Sequence, residues 1–491
     1  MPVIETEPEQ RVVVVPTAAL RTAPPVPVVV RRPGSPRTRL LLEGPIVSTL
    51  LRLAAPNVVV NVVLIAVTAS VDAYFLRDLG PSALAGLALV FPLLMLMQQV
   101  ANSSMGGAVA SAVARAIGAG RRAHASALVV HALVIALAMA AIFTTVVLAG
   151  GPIVYRLMGG SGQALAAAVE YSNVIFAGAL AYWVLSTLTS IVRGAGQAAV
   201  LGLVYVAAEA VHILLVPVLV FGIGPVPALG ITGAGIATVV SFTLSALALV
   251  WYLAAGRTAV TLSFRHVHLD RRVFAEILRV GAPMSLQPIF NNLTLVLLTG
   301  FVGTLGPTAL AGFGAAVRLE YVQTPLVFGL GAGLIAMVGT NVGAGQIARA
   351  SRITWTALAL AVTATAGIGI FALVWPELWG ALFSASPAVQ MMAASYLCVV
   401  ALACPFLGLG LALSSAFQAV GRPMWPVGAT AGRALVVGAG GWIAIHWMGS
   451  GVTGLALVAA AGMIVYGSTL AIGFGSGAWR SAAIVKAANA S

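Results

Sequence analysis

Charge and cysteine are what this sequence has least of. Asp, Glu, Lys and Arg make up 8% of its 491 residues, against about a quarter in a soluble domain. The two cysteines, Cys398 and Cys404, lie in one apolar run. Six residues apart on a helix, they point to different faces, so a disulfide between them is excluded and no zinc-ligand spacing exists. Lysine occurs once, as Lys486, and no G-x-x-x-x-G-K-[ST] loop is present, so no ATP site is expected. Hydrophobic residues fill the space left by charge, at 60% with a mean hydropathy of +1.05. An ordinary globular enzyme and a disordered chain are both excluded, because neither keeps so much apolar surface from water. What remains is an all-α polytopic membrane protein. At about 20 to 25 residues per helix, the chain has room for roughly a dozen spans.

Twelve apolar runs follow one another near 50–76, 88–114, 124–149, 165–192, 198–222, 231–255, 273–302, 310–339, 350–374, 388–416, 425–447 and 452–475. The net charge of +13 is spread as short arginine clusters between them. One side of the membrane receives Arg115, Arg121 and Arg122, then Arg193, then Arg265, Arg271, Arg272 and Arg279, then Arg349 and Arg352, then Arg422 and Arg480. That asymmetry is a topology signal rather than a nucleic-acid footprint. It places the arginine-rich side, and with an even helix count both termini, in the cytoplasm of an inner-membrane protein. Residues 1–43, rich in proline and arginine, read as a disordered basic tail. The expected organisation is a six-helix lobe over 44–255, a linker over 256–272, a second six-helix lobe over 273–476 and a tail over 477–491.

The second lobe repeats the first. Leu51-Arg52-Leu53-Ala54-Ala55-Pro56 returns as Leu278-Arg279-Val280-Gly281-Ala282-Pro283. LGPSALAG at 79–86 returns as LGPTALAG at 305–312, Gly118-Ala119-Gly120 as Gly343-Ala344-Gly345, SIVRGAG at 190–196 as SAFQAVG at 415–421, and Ile231-Thr232-Gly233 as Val452-Thr453-Gly454. Six spans per copy insert both halves in the same direction, a parallel repeat about an axis along the membrane normal.

These signatures resemble the multidrug and toxic compound extrusion (MATE) family. The likeness rests on LGPSALAG, Ala116-Ile117-Gly118-Ala119-Gly120, Arg193-Gly194-Ala195-Gly196-Gln197, Phe221-Gly222-Ile223-Gly224 with GITGAGIAT at 230–238, and Arg318-Leu319-Glu320, and runs from about 44 to 476. It implies a V-shaped pair of six-helix bundles that alternate between inward and outward openings, exporting amphipathic, often cationic, compounds against a proton or sodium gradient. Monomeric function in the lipid bilayer and no cofactor beyond the coupling ion are also implied. Two other classes stand beside this reading. One is a lipid-linked-precursor flippase of the same larger superfamily. The other is an integral-membrane transferase, whose only candidate cluster, His266, His268 and Asp270, lies in the linker and reads better as a solvated connector.

Ionisable groups inside a membrane span are costly, so each is a functional candidate. Asp72 matches the family's span-1 aspartate, which binds the coupling cation; its bland alternative is an interfacial ion pair with Arg77. In span 5 the DinF-like branch of the family reads N-x-x-x-D-P. Here His212 stands at the Asn position and Val216 at the Asp position. Losing a carboxylate and gaining an imidazole weakens a sodium site and suits a proton site. Glu209 lies one turn before His212, so two arrangements are open: a relay of Asp72, His212 and Glu209, or a structural Glu209–His212 pair. Ala234 and Thr238 match the family's remaining span-6 positions; a threonine bonded to its own helix is the commoner arrangement. In the second lobe the position of the NorM-like span-7 glutamate holds Asn291, followed by Asn292, so no carboxylate site is expected there. Arg318 is expected to pair across helices, and His131 and Arg433 to be satisfied bundle residues. Gln98, Asn102, Tyr205, Phe290, Asn291, Asn292 and Tyr321 are candidates for the substrate cavity, against the alternative that they pack or bond between helices. Pro56 and Pro217 are candidate bending points.

Overall fold

The structure is a computed structural model that describes residues 36–63, 69–222, 224–256, 258, 260, 268–477 and 479. Apart from turns, the described residues are helical, as long leucine-, valine- and alanine-rich runs must be in a bilayer, where every backbone N–H needs a partner within its own segment. Ten helices are long and apolar enough to cross a membrane, and the pair Gly162–Ala177 and Ala179–Gly194, bent by 49° at Gly178, is an eleventh. Two shorter helices, Ile46–Val63 and Ala69–Leu76, stand where the sequence sets span 1, with 64–68 outside the described residues. Most of the linker is likewise outside them.

The remaining spans are, in order, Pro81–Gly118 (span 2), Arg122–Leu157 (span 3), the bent pair (span 4), Ala198–Phe221 (span 5) and Gly230–Ala254 (span 6), then Arg271–Gly303 (span 7), Pro307–Gly343 (span 8), Ile347–Val374 (span 9), Pro387–Val420 (span 10), Met424–His446 (span 11) and Val452–Gly475 (span 12). The repeat is visible in the backbone. Gly80 and Gly306 take φ of 98° and 105°, and each precedes a proline that opens a helix, Pro81 and Pro307. Nothing crowds either glycine, so it is the positive φ rather than space that requires it.

Two separate cores fill the lobes, one built mainly from spans 2 to 6 and one from spans 8 to 12. Spans 1 and 7 are shared. At the arginine-rich end, Leu50, Leu53 and Ala54 of span 1 belong to the second lobe's core, while Val273, Ile277, Val280 and Met284 of span 7 belong to the first lobe's. Toward the other end each returns to its own lobe: Leu76 packs with Ala83, Val90 and Leu94, and Leu298 and Val302 with Ala309 and Phe313. The lobes are therefore stitched together at the arginine-rich end and diverge away from it.

Polar contacts reinforce that seam. The Gln418 side chain donates to the carbonyls of Ser103 (2.8 Å) and Ser104 (3.1 Å), and the Ser104 hydroxyl donates to Met284 O (3.0 Å). Buried Arg115 donates to Ala419 O at 2.8 Å and reaches Glu276 at 3.5 Å, and Glu276 also meets His124 at 2.9 Å. His131 is held by two backbone partners: Nε2 accepts from Asp270 N (2.9 Å), so the hydrogen is on Nδ1, which donates to Ala127 O (2.8 Å). Arg115→Ala removes two charge-assisted bonds between lobes. We expect alkylation of a cysteine placed at Ala108, itself buried at the seam, to accelerate about tenfold in that background, both native cysteines being replaced by serine. An unchanged rate would mean that apolar packing alone holds the seam.

One expectation needs correction. The chain does not stay irregular as far as residue 43, because Pro36–Glu43 is a helix with Leu41 buried in the second lobe's core. Its end is tied down by Asn341, which donates to Leu41 O at 3.0 Å, and by Arg349, which donates to Gly44 O. Residues 1–35 lie outside the described residues.

Candidate functional site

Asp72 lies on Ala69–Leu76, the outer segment of span 1, with 3% of its surface exposed. A carboxylate so far from water requires partners, and two helices supply them. From span 5, His212 Nε2 lies 3.0 Å from Oδ1. From span 4, the Tyr171 hydroxyl donates to Oδ2 at 3.2 Å. Arg77 is not a partner: its Nε bonds Asp78 at 3.3 Å and its guanidinium lies over the Tyr74 ring, 4.0 Å from the centroid, all outside the buried cluster. The interfacial alternative for Asp72 thus finds no support in the geometry.

Span 6 closes the site. The Thr238 hydroxyl donates to Ala234 O at 3.1 Å and also lies against the Tyr171 hydroxyl, while Ala237 offers its backbone to the His212 ring. Ala234 therefore contributes a carbonyl and no side-chain chemistry. Spans 5 and 6 are pinned together here by Ser241, which donates to Ala208 O at 2.8 Å. Glu209 is buried one turn from His212, close enough for its charge to act on the ring. His212 Nε2 is occupied by Asp72, which orders the site as Asp72–His212 with Glu209 behind.

The arrangement can hold a proton in two ways. The hydrogen between Nε2 and Oδ1 resides on the imidazole, facing a carboxylate, or on Asp72 as a carboxylic acid, facing a neutral ring. Either form keeps the contact, and adding a proton to the pair changes its charge by one without breaking the cluster. A sodium ion would instead need several oxygens, and one face of Asp72 is taken by nitrogen.

Three of the proposed cavity residues have their side-chain partners within their own lobe. Asn102 bonds Tyr182 and accepts from Ser186 at 2.8 Å, inside the first lobe. Tyr205 is buried, with its hydroxyl 3.3 Å from Thr189. Asn292 donates to Pro288 O in its own helix at 2.7 Å. These three are packing and bonding residues, and bilayer helices satisfy such groups internally because the alternative is costly. Gln98 and Phe290 are half-buried, and Asn291 and Tyr321 are exposed.

In the second lobe Glu320 of span 8, partly buried, meets Arg433 of span 11 at 3.3 Å. Arg318 finds its partner outside its own helix in a ring: its guanidinium lies over Phe383, 4.6 Å from the centroid. Side chains two residues apart on one helix diverge, so only one of Arg318 and Glu320 can point inward. Tyr171 was the residue that sequence reasoning missed. The one available signal was a tyrosine directly after Glu170 in an apolar run.

With this geometry established, comparison with known proteins is informative. The profile of the MatE family matches residues 58–218 and 283–443, one copy in each lobe. The FAD transporter of Shewanella oneidensis is 27% identical over 78% of this chain and 84% of its own length. The probable multidrug resistance protein NorM of Thermotoga maritima is 24% identical over 77% and 81%. Among solved structures, a MATE protein in a bent conformation superposes with a TM-score of 0.84 at 25% identity, covering 93% of this chain and all of that one. A Pyrococcus furiosus transporter of the MOP superfamily, described as having a binding pocket of reverse polarity, gives 0.82 at 25% identity over 92% and 99%. A family profile matched in both halves, on a fold of two parallel six-helix lobes around a shared pair of spans, makes this chain a membrane transporter of the MATE family.

Proposed function

We propose that the protein exports amphipathic small molecules, cationic ones among them, in exchange for protons taken up at the Asp72–His212 pair. The observation that carries this reading is the 3.0 Å contact between His212 Nε2 and a carboxylate with almost no solvent exposure. A carboxylate hydrogen-bonded to an imidazole is a unit that can take up one proton and release it again without losing the contact. In this reading the arginine-rich seam is cytoplasmic, the lobes open outward, and both termini lie in the cytoplasm of a plasma-membrane protein. Protonation alters the charge between spans 1, 4 and 5, and with it the packing of span 1, whose other half is lodged in the opposite lobe. That coupling of a local charge to lobe position makes proton and cargo exchange mutually exclusive. The names of the relatives, which mention multidrug export and FAD, are compatible with amphipathic cargo.

The test is export from proteoliposomes with a panel of dyes under an imposed gradient. An inward proton gradient should drive efflux at a rate unaffected by replacing sodium with choline. Efflux that requires sodium and ignores the pH gradient would refute proton coupling.

A further inference from the structure

The second lobe carries a cluster of buried polar groups that the coupling site does not use. Arg433 of span 11 is 9% exposed. One guanidinium nitrogen, Nη2, meets Glu320 at 3.3 Å, in a single long contact rather than a fork. Its Nε is buried and has no hydrogen-bond partner among the described residues. The same is true of the Tyr396 hydroxyl of span 10, which lies where both the Arg433 and Glu320 charges act on it. Beside them, Gln287 donates to Thr430 at 3.0 Å and accepts from Ser414 at 3.3 Å. Burying such donors unfilled is expensive, and natural cores leave few in that state. Here a charged and a neutral donor from two helices are left open together. Glu320 keeps a quarter of its side chain exposed, at 25% against 11% for Arg433, so the cluster is approached from the Glu320 side.

We propose that this cluster binds an acidic group of the cargo, a carboxylate or a phosphate, with Arg433 Nε and the Tyr396 hydroxyl donating to its oxygens and Glu320 swinging aside. The argument is one of valence. A guanidinium presents five N–H groups in a plane matched to two oxygens of one anion, and one monodentate carboxylate does not fill it. Glu320 is a like charge to the ligand and competes for the same arginine. The cluster is therefore poised: ion pair when empty, anion site when loaded. This inference rests on the export reading and narrows it, assigning protons to the first lobe and the acidic end of the cargo to the second.

Equilibrium binding to the purified full-length protein in detergent, with no gradient, tests it independently of coupling. The probes are two pairs differing only in the acid: FMN against riboflavin for phosphate, and 1-pyrenebutyric acid against its methyl ester for carboxylate, read by fluorescence. At least one acidic member should bind roughly tenfold more tightly than its neutral partner. The pair that shows the preference identifies which oxyanion is taken. In Arg433→Lys and Tyr396→Phe, both of which keep the size of the side chain, that ratio should fall toward one while affinity for the neutral member is retained. In Glu320→Gln it should rise. Equal affinities within both pairs, no binding of either pair, or a ratio unmoved by Arg433→Lys would overturn the proposal. Transport that fails while the ratio behaves as stated would count against proton coupling and leave the anion site standing.

Discussion

Asp72→Asn, reconstituted in proteoliposomes, exports nothing above the leak of protein-free vesicles, whatever pH gradient is imposed. The asparagine has the shape of the native side chain and can still accept from Tyr171 Oη, which donates to Asp72 at 3.2 Å. It cannot take up and release a proton, and it cannot form an ion pair with the His212 ring. The site is thus frozen in one charge state, and a transporter with one charge state has no means of making its lobes respond to the gradient. The fold should tolerate the change, because no unpaired charge is created when the imidazole is neutral, so the variant should elute and melt like the parent. His212→Asn provides the contrast. It removes one charge-assisted bond, worth about 1.5 to 3 kcal/mol, but leaves a titratable carboxyl. It should therefore retain gradient-driven export at a rate reduced by roughly tenfold or more. Export by Asp72→Asn at a substantial fraction of the parental rate would end the mechanism, and an inactive His212→Asn beside it would transfer the essential proton to the histidine.

How much of this was legible beforehand follows the range of each interaction. The spans, the parallel repeat and the family likeness are carried by local apolar runs and by glycine and proline signatures, all readable along the chain. Asp72 and His212 were legible because a charged or titratable group in a membrane span is conspicuous. Tyr171 was not, because a tyrosine in an apolar run resembles the many that only pack, and its role depends on span 4 turning it toward span 1. The Glu320–Arg433 pair joins residues 113 apart, and no local pattern encodes such a meeting. Asn291, at the position where the resemblance sets a carboxylate, drew attention to span 7, while the carboxylate that meets Arg433 stands on span 8. The exchange of span 1 and span 7 between lobes was equally hidden. Leu50 and Leu53 read as ordinary lipid- or core-facing leucines, and only the assembled molecule shows whose core they enter.

That exchange explains why the seam should be the most sensitive surface of the protein to added volume. At its arginine-rich edge the ends of spans 2 and 8 meet backbone to backbone. A Cβ on Gly118 would lie 2.0 Å from Thr340 O, and one on Gly343 would lie 2.1 Å from Arg115 O, a reciprocal contact generated by the repeat. Neither obstacle is a side-chain tip that could rotate away, so the helices themselves must part by about 1 Å to restore contact distance. Overpacking of this kind costs about 1 to 3 kcal/mol. It is paid only in the conformation in which the seam is closed, which shifts the balance between lobe arrangements by roughly 5- to 150-fold. Gly118→Ala should therefore suffice to slow export severely, without a larger residue, and Gly118→Val should stop it. Spin labels at positions 121 and 346, on the loops flanking that contact, should show the short-distance population of the parent giving way to a longer one in both variants. Gly118→Ala exporting at the parental rate with an unchanged distance distribution would show that the closed seam is not a state through which transport passes.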